Sequence, residues 1–357
     1  MNLFVFSAHL LSIFFFSLVC LLAVRKVAKY IGLVDEPDHR KHHQGAIPLV
    51  GGISVYAGIC FALLTADQFI PHARVYLACA GLLVFVGVLD DRFNISVKIR
   101  LLIQFLVSVF IMCFAGLHLN NLGFIFGFRE LGLGPFSYII TLLSVCAAIN
   151  AFNMIDGIDG LLGGLSCISF LAIGFLLYQK SEMALALWCF SIIVAITPYV
   201  LLNLGLLGEK YKIFMGDAGS TLIGFTIIWL LLQTTQGSGH SIRLVTVLWT
   251  TAVPLIDMIA ITYRRLRKGM NPLFPDRQHL HHLMMRSGFT SQQTLILIIF
   301  FAALCALIGI IGEFFIPEWI MFALFLCMFF VYGYSVKNAW RLSRLIKRIN
   351  KASKIKK

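Results

Sequence analysis

The sequence predicts an all-α, polytopic integral membrane protein, and three observations carry that prediction. Apolar residues make up 59% of the 357-residue chain and charged residues only 13%, a balance that soluble domains of this length do not show. Apolar runs long enough to cross ~30 Å of hydrocarbon recur from end to end. The polar loops between them alternate sharply in basic charge.

Eleven such runs can be counted, at 3–24, 47–66, 73–89, 101–119, 137–155, 161–178, 183–204, 219–235, 243–261, 291–312 and 317–336. Eleven spans of ~20 residues take roughly 220 residues, which leaves short loops and no soluble domain. Residues 1–336 therefore read as one transmembrane domain and 337–357 as a basic tail. The first run has no basic segment before it and no small-residue cleavage site after it, so it reads as a retained span. All nine cysteines fall inside apolar runs without a C-x-x-C pair. They read as small buried hydrophobes, not as disulfides or zinc ligands.

The loops 25–46, 90–100, 205–218 and 262–290, with the tail, hold 25 of the 29 lysines and arginines. The alternate loops hold only Arg74, Arg129, Lys180 and Arg243. The positive-inside rule then puts the N-terminus outside and the C-terminus in the cytoplasm. The net charge of +13 follows from that orientation and from attraction to anionic lipid, so it calls for no nucleic-acid partner. In the tail, Trp340 to Ile349 alternates apolar and basic residues at helical spacing, the pattern of an interfacial helix on the inner leaflet.

The chemistry centres on Asn150-Ala-Phe-Asn153-Met-Ile-Asp156-Gly-Ile-Asp159-Gly-Leu161, which closes the fifth run. Steps of three residues stay within ~60° on a helix, so Asn150, Asn153 and Asp156 share a face. A continued helix would carry Asp159 to the far side, but Gly157 and Gly160 let the helix stop and turn. Taken alone, this could be a capped helix end with solvated acids. Two more acid clusters end runs on the same basic side, namely Asp90-Asp91 after the third and Asp217 before the eighth. A transporter would place its ionisable groups near the midplane. Carboxylates gathered at one interface suit Mg2+, which takes one or two of them and completes its shell with substrate phosphates. The turn Gly216-Asp217-Ala218-Gly219-Ser220 adds free N–H groups at a helix start, where anions are favoured. The expectation is phosphoryl transfer at a membrane surface.

The segment Pro275-Asp276-Arg277-Gln278-His279-Leu280-His281-His282 offers either a zinc site or imidazoles that bond phosphate and sugar oxygens. Asp257, inside the ninth run, is either functional or paired with a basic residue such as Arg264. Gln104 reads as a helix-to-helix hydrogen bond.

Together these motifs resemble the polyprenyl-phosphate N-acetylhexosamine-1-phosphate transferases, most nearly the members that transfer GlcNAc-1-phosphate to undecaprenyl phosphate. The likeness covers almost the whole chain. It rests on Pro48-Leu-Val-Gly51-Gly52, Leu89-Asp90-Asp91-Arg92, Asn150 through Leu161, Phe214 through Ser220, Arg264-Arg265-Leu-Arg267-Lys268 and Pro275 through His282. It implies that undecaprenyl phosphate attacks UDP-GlcNAc and releases UMP, leaving undecaprenyl-diphospho-GlcNAc. That is the first membrane step of O-antigen or enterobacterial common antigen type synthesis. It implies a bacterial inner membrane, a periplasmic N-terminus, a cytoplasmic active site, and Mg2+ or Mn2+ as cofactor. The catalytic candidates are Asp90, Asp91, Asp156 and Asp159, and the metal candidates Asp217 and Asp91. The substrate-binding candidates are Asn150, Asn153, Arg265, Asp276, Arg277, His279, His281 and His282.

Adjacent helical residues point ~100° apart, so Asp90 and Asp91 should differ in role. One faces the metal, and the other orients the lipid phosphate or takes its proton. Phosphate monoesters have a second pKa near ~6, so a general base is dispensable. The alternatives are a phospho-MurNAc-pentapeptide transferase and a transporter or flippase. Related pentapeptide transferases carry an acid soon after the histidines, where this chain has Leu283-Met284-Met285-Arg286. Asn203 stands further from the Gly-Asp turn than in those relatives, which leaves its role open.

Overall fold

The computed structural model describes residues 3–36, 45–66, 70–236, 241–271 and 278–338. Among them the chain is almost wholly helical. In order come α1 (Leu3–Ile31), α2 (Gly51–Leu64), α3 (Ala73–Phe93), α4 (Val97–Ala115), α5 (Ser137–Ile155), α6 (Leu161–Gln179) and α7 (Met183–Asn203). After these come α8 (Gly216–Thr235), α9 (Leu244–Thr250), α10 (Ala252–Arg267), α11 (Leu280–Arg286), α12 (Ser291–Phe315) and α13 (Glu318–Lys337). A two-residue antiparallel pair, β1 (Val34–Asp35) with β2 (Ile47–Pro48), leads into α2. The interfacial helix expected at 340–349 lies outside the described residues.

Among the described residues nine helices are long and apolar enough to cross a membrane. This confirms a polytopic all-α protein but departs from eleven straight spans in two places. The run 47–66 spends its first residues on β2 and a turn, so α2 has 14 residues, only ~21 Å of helix. The run 243–261 is not one helix, because α9 and α10 meet at 84°. Pro254 explains the break. It stands in the first turn of α10, has no N–H to give, and its ring opposes the carbonyl of Thr250.

The core is built around α8, which is buried along nearly its whole length and packs against α2, α3 and α5. Small residues at its start, Ala218, Gly219 and Ser220, let the neighbouring backbones come close. Its hydroxyls need no water. Thr226 and Thr234 each donate to the carbonyl four residues back, at 2.7 and 2.8 Å. Tyr76 of α3 shares a 2.8 Å hydrogen bond with Thr226. The outer faces of α1, α4, α12 and α13 expose Phe15, Val19, Phe114, Phe300 and Phe330, an apolar surface suited to lipid.

The loops rich in basic residues meet at one end of the bundle. There Arg25 donates to the carbonyl of Lys210. At the opposite end, where α6 finishes, Lys180 pairs with Glu313 at 3.4 Å and Arg243 with Glu318 at 3.7 Å.

Candidate active site

The acids come together where α3 and α5 end and α8 begins. The order Phe214-Met215-Gly216 is drawn into place by backbone pairing with the Pro48–Gly52 segment. Phe214 N–H donates to Pro48 O at 2.9 Å, and Gly51 N–H returns a bond to Phe214 O at 3.0 Å. Gly216 then turns the chain at φ +74°, a conformation that L side chains resist. Any Cβ there would also collide with the carboxylate of Asp91.

That carboxylate lies across the start of α8. Its Oδ1 accepts the Asp217 N–H at 2.8 Å and its Oδ2 the Ala218 N–H at 3.3 Å. Both oxygens thus hold helix N–H groups that would otherwise lack partners. Asp90, one residue earlier, is 5% exposed and takes a 2.7 Å bond from Arg100 Nη1. The same nitrogen lies 3.3 Å from Asp217 Oδ2. Asn153 completes the cluster by donating to Asp217 Oδ1 at 2.6 Å and to Ser220 Oγ at 2.9 Å.

As expected, α5 stops at the glycines, with Asp156 at its C-terminal cap. Asp156 itself is exposed at this turn. Desolvation of the carboxyl by surrounding protein atoms, then Asp217 and Asp159, pushes it up to about 7. Asp159 pairs with Lys212 at 2.7 Å. Asn203 bridges this turn to the segment before α8. Its Oδ1 accepts Gly160 N–H at 2.6 Å and its Nδ2 donates to Ile213 O at 2.9 Å. Asn203 is therefore a brace between two acid-bearing segments.

The histidines reach the same turn from above. His281 is 1% exposed, and neither ring nitrogen has a hydrogen-bond partner. Its ring lies on Gly157 so closely that any side chain at 157 would strike Nε2. Burial, then His282 and His279, pushes its imidazole down to about 3, so it is neutral at physiological pH. The His282 ring centre is 4.2 Å from that of His281. His279 gives Nδ1 to Asp257 at 2.7 Å. Asp257 is thus paired with a histidine and not with Arg264.

The structure therefore brings Asp90, Asp91, Asn153, Asp156, Asp159 and Asp217 to one end, with His281 seated beside them. Asn150 has other partners. Its amide donates to Gln104 at 2.8 Å and to Cys146 O at 2.7 Å, tying α5 to α4 as expected of Gln104. Arg265 is buried in the last turn of α10. Asp276 and Arg277 lie outside the described residues. Sequence reasoning counted Arg100 and Lys212 only as loop charge and assigned neither to the acids. Their signal was present, since each follows or precedes an acid motif by a few residues within a basic loop.

No three carboxylates or histidines form a closed metal cage among the described residues. The donor set still fits Mg2+. Asp90 and Asp217 aim oxygens at one cationic nitrogen, and a hard divalent ion with open positions suits that arrangement. Asp91, with both oxygens on backbone N–H groups, fits the role of holding Asp217 in place.

Residues 73–235 match the family model described as glycosyl transferase family 4, the stretch from α3 to α8 that carries all five acids. The chain is 65% identical to the undecaprenyl-phosphate alpha-N-acetylglucosaminyl 1-phosphate transferase of Yersinia pestis, over 98% of this chain and 97% of that protein. It is 62% identical to the protein of that name from Escherichia coli, over 98% and 96%. With the one from Salmonella typhi the identity is 60%, over 98% and 96%.

Proposed function

This chain belongs to the undecaprenyl-phosphate alpha-N-acetylglucosaminyl 1-phosphate transferases of glycosyl transferase family 4, and we propose that it moves GlcNAc-1-phosphate from UDP-GlcNAc to undecaprenyl phosphate. UMP is released and undecaprenyl-diphospho-GlcNAc stays in the bilayer. The product opens a glycan pathway of the O-antigen or enterobacterial common antigen type. The carrying observation is the convergence of Asp90, Asp156 and Asp217, with Arg100 bridging two of them, at the basic end of a membrane bundle.

In this reading the acid end faces the cytoplasm of a bacterial inner membrane, in keeping with the loop charges. Asp217 and Asp90 would hold Mg2+, or Mn2+ in its place, while Asp91 clamps the backbone that presents Asp217. Bound there, the metal would neutralise phosphate charge as the leaving UMP develops it. Asp217 stands at a helix start, whose N–H groups favour the diphosphate. Arg100, beside both carboxylates, would supply a cation for a phosphate oxygen. Lys212 holds Asp159 in place through their ion pair. His279, His281 and Arg265, with Asp276 and Arg277, belong to nucleotide-sugar binding. The incoming lipid phosphate is already ionised at neutral pH, so no residue need take its proton.

The test is radiolabelled UDP-GlcNAc with undecaprenyl phosphate and the purified chain. Labelled lipid with stoichiometric UMP supports the reading. A competent preparation that instead accepts only the muramyl-pentapeptide nucleotide, or neither donor, overturns it.

A further inference from the structure

Asp257 sits on α10, 1% exposed, apart from the acid cluster. A carboxylate so enclosed persists only when its oxygens are satisfied. Here three groups satisfy it. Oδ2 accepts His279 Nδ1 at 2.7 Å. Oδ1 accepts the Leu280 N–H at 3.0 Å, the first turn of α11, and the Tyr332 hydroxyl of α13 at 2.5 Å. The bond to Nδ1 commits that nitrogen as donor and leaves Nε2 as the working atom of the ring. The bond from Tyr332 stops the carboxylate from rotating, and the bond to Leu280 fixes the helix that carries the other two histidines.

We infer that Asp257 and Tyr332 are positioning residues for the nucleotide-sugar donor. They lock the tautomer and orientation of His279 so that Nε2 meets an oxygen of the diphosphate or sugar. The last membrane helix thereby takes part in donor recognition without touching the donor. This rests on the reading of the histidine segment as the donor site.

The test uses the full-length purified chain and steady-state kinetics in both substrates. Tyr332→Phe removes one hydroxyl and keeps the ring. The KM for UDP-GlcNAc should rise about three- to tenfold, while the KM for undecaprenyl phosphate and the melting temperature stay near wild type. Asp257→Asn should raise the donor KM roughly ten- to a hundredfold, the scale of a lost histidine-orienting partner. In a His279→Gln background, Tyr332→Phe should add nothing further. Equal changes in both KM values, or an additive rise in the His279→Gln background, would overturn the inference. If His279→Gln raises the donor KM but Tyr332→Phe does not, the positioning role fails and the donor site stands. If His279→Gln leaves the donor KM unchanged, both fail.

Discussion

Asp91 and Asp217 are one hydrogen bond apart and do different work. Asp217→Asn keeps the shape of the cluster and removes the charge that a divalent ion needs. Turnover should fall ~100-fold or more, with the melting temperature of the purified protein nearly unchanged. Asp91→Asn places an amide N–H2 group against the N–H groups of Asp217 and Ala218. It should cost about 1–3 kcal/mol of stability as well as turnover, and a melt that matches wild type would refute the clamp. Asp156 makes a prediction of opposite sign. Its folded-state carboxyl is pushed up to about 7 from an ordinary 3.8. Between those values the folded state keeps a proton that the unfolded chain has released, so stability falls as pH rises through that window. In metal-free detergent solution, Asp156→Asn should therefore melt higher than wild type above pH 7, with the gap closing toward pH 4 and on adding Mg2+. No gap at pH 8 would show that Asp156 carries no such strain. The acids themselves were legible in the sequence because each closes or opens an apolar run within a short motif. Which partner each acid takes across the fold was not. Arg100 meets Asp217 across 117 residues, and Tyr332 meets Asp257 across 75. Only packing makes such pairs, and no spacing rule reports them.

Between elements, the decisive contact is the seat of α11 on the turn between α5 and α6. His281 lies where a side chain at 157 would be, so Gly157→Ala must push α11 away or distort the turn. We expect a loss of about 1–3 kcal/mol from overpacking together with a raised KM for UDP-GlcNAc. Unchanged donor kinetics would mean that the seat has no part in donor binding. Periodicity located these elements well, since a helix long enough to span needs an unbroken apolar run. It failed where local chemistry overrides periodicity. Pro254 was visible inside the ninth run, yet an apolar run with one proline near its middle scores as a span whether straight or bent. Likewise the residues at 47–50 are apolar enough to join α2, but their backbone groups are spent on Phe214 and Leu33.

For the whole molecule, the separation of basic loops from the others predicts sidedness. With the nine native cysteines replaced, Gln278→Cys and Asn121→Cys should label from opposite faces of sealed vesicles. Labelling from the same face would refute the alternation of spans. The architecture also bears on how the protein is made. Of the nine spanning helices, α8 is the least apolar and the most enclosed. A nascent segment enters the bilayer largely on its own hydrophobicity, and this one carries Ser220, Thr221, Thr226, Thr234 and Thr235. It is thus the helix least able to insert unaided. By the time the ribosome releases it, α2, α3 and α5 have already been synthesised, and with them Tyr76 and Asp91, which bond to it in the folded protein. The order of synthesis therefore delivers Asp217 last among the five acids, on the helix that most needs the others to hold it.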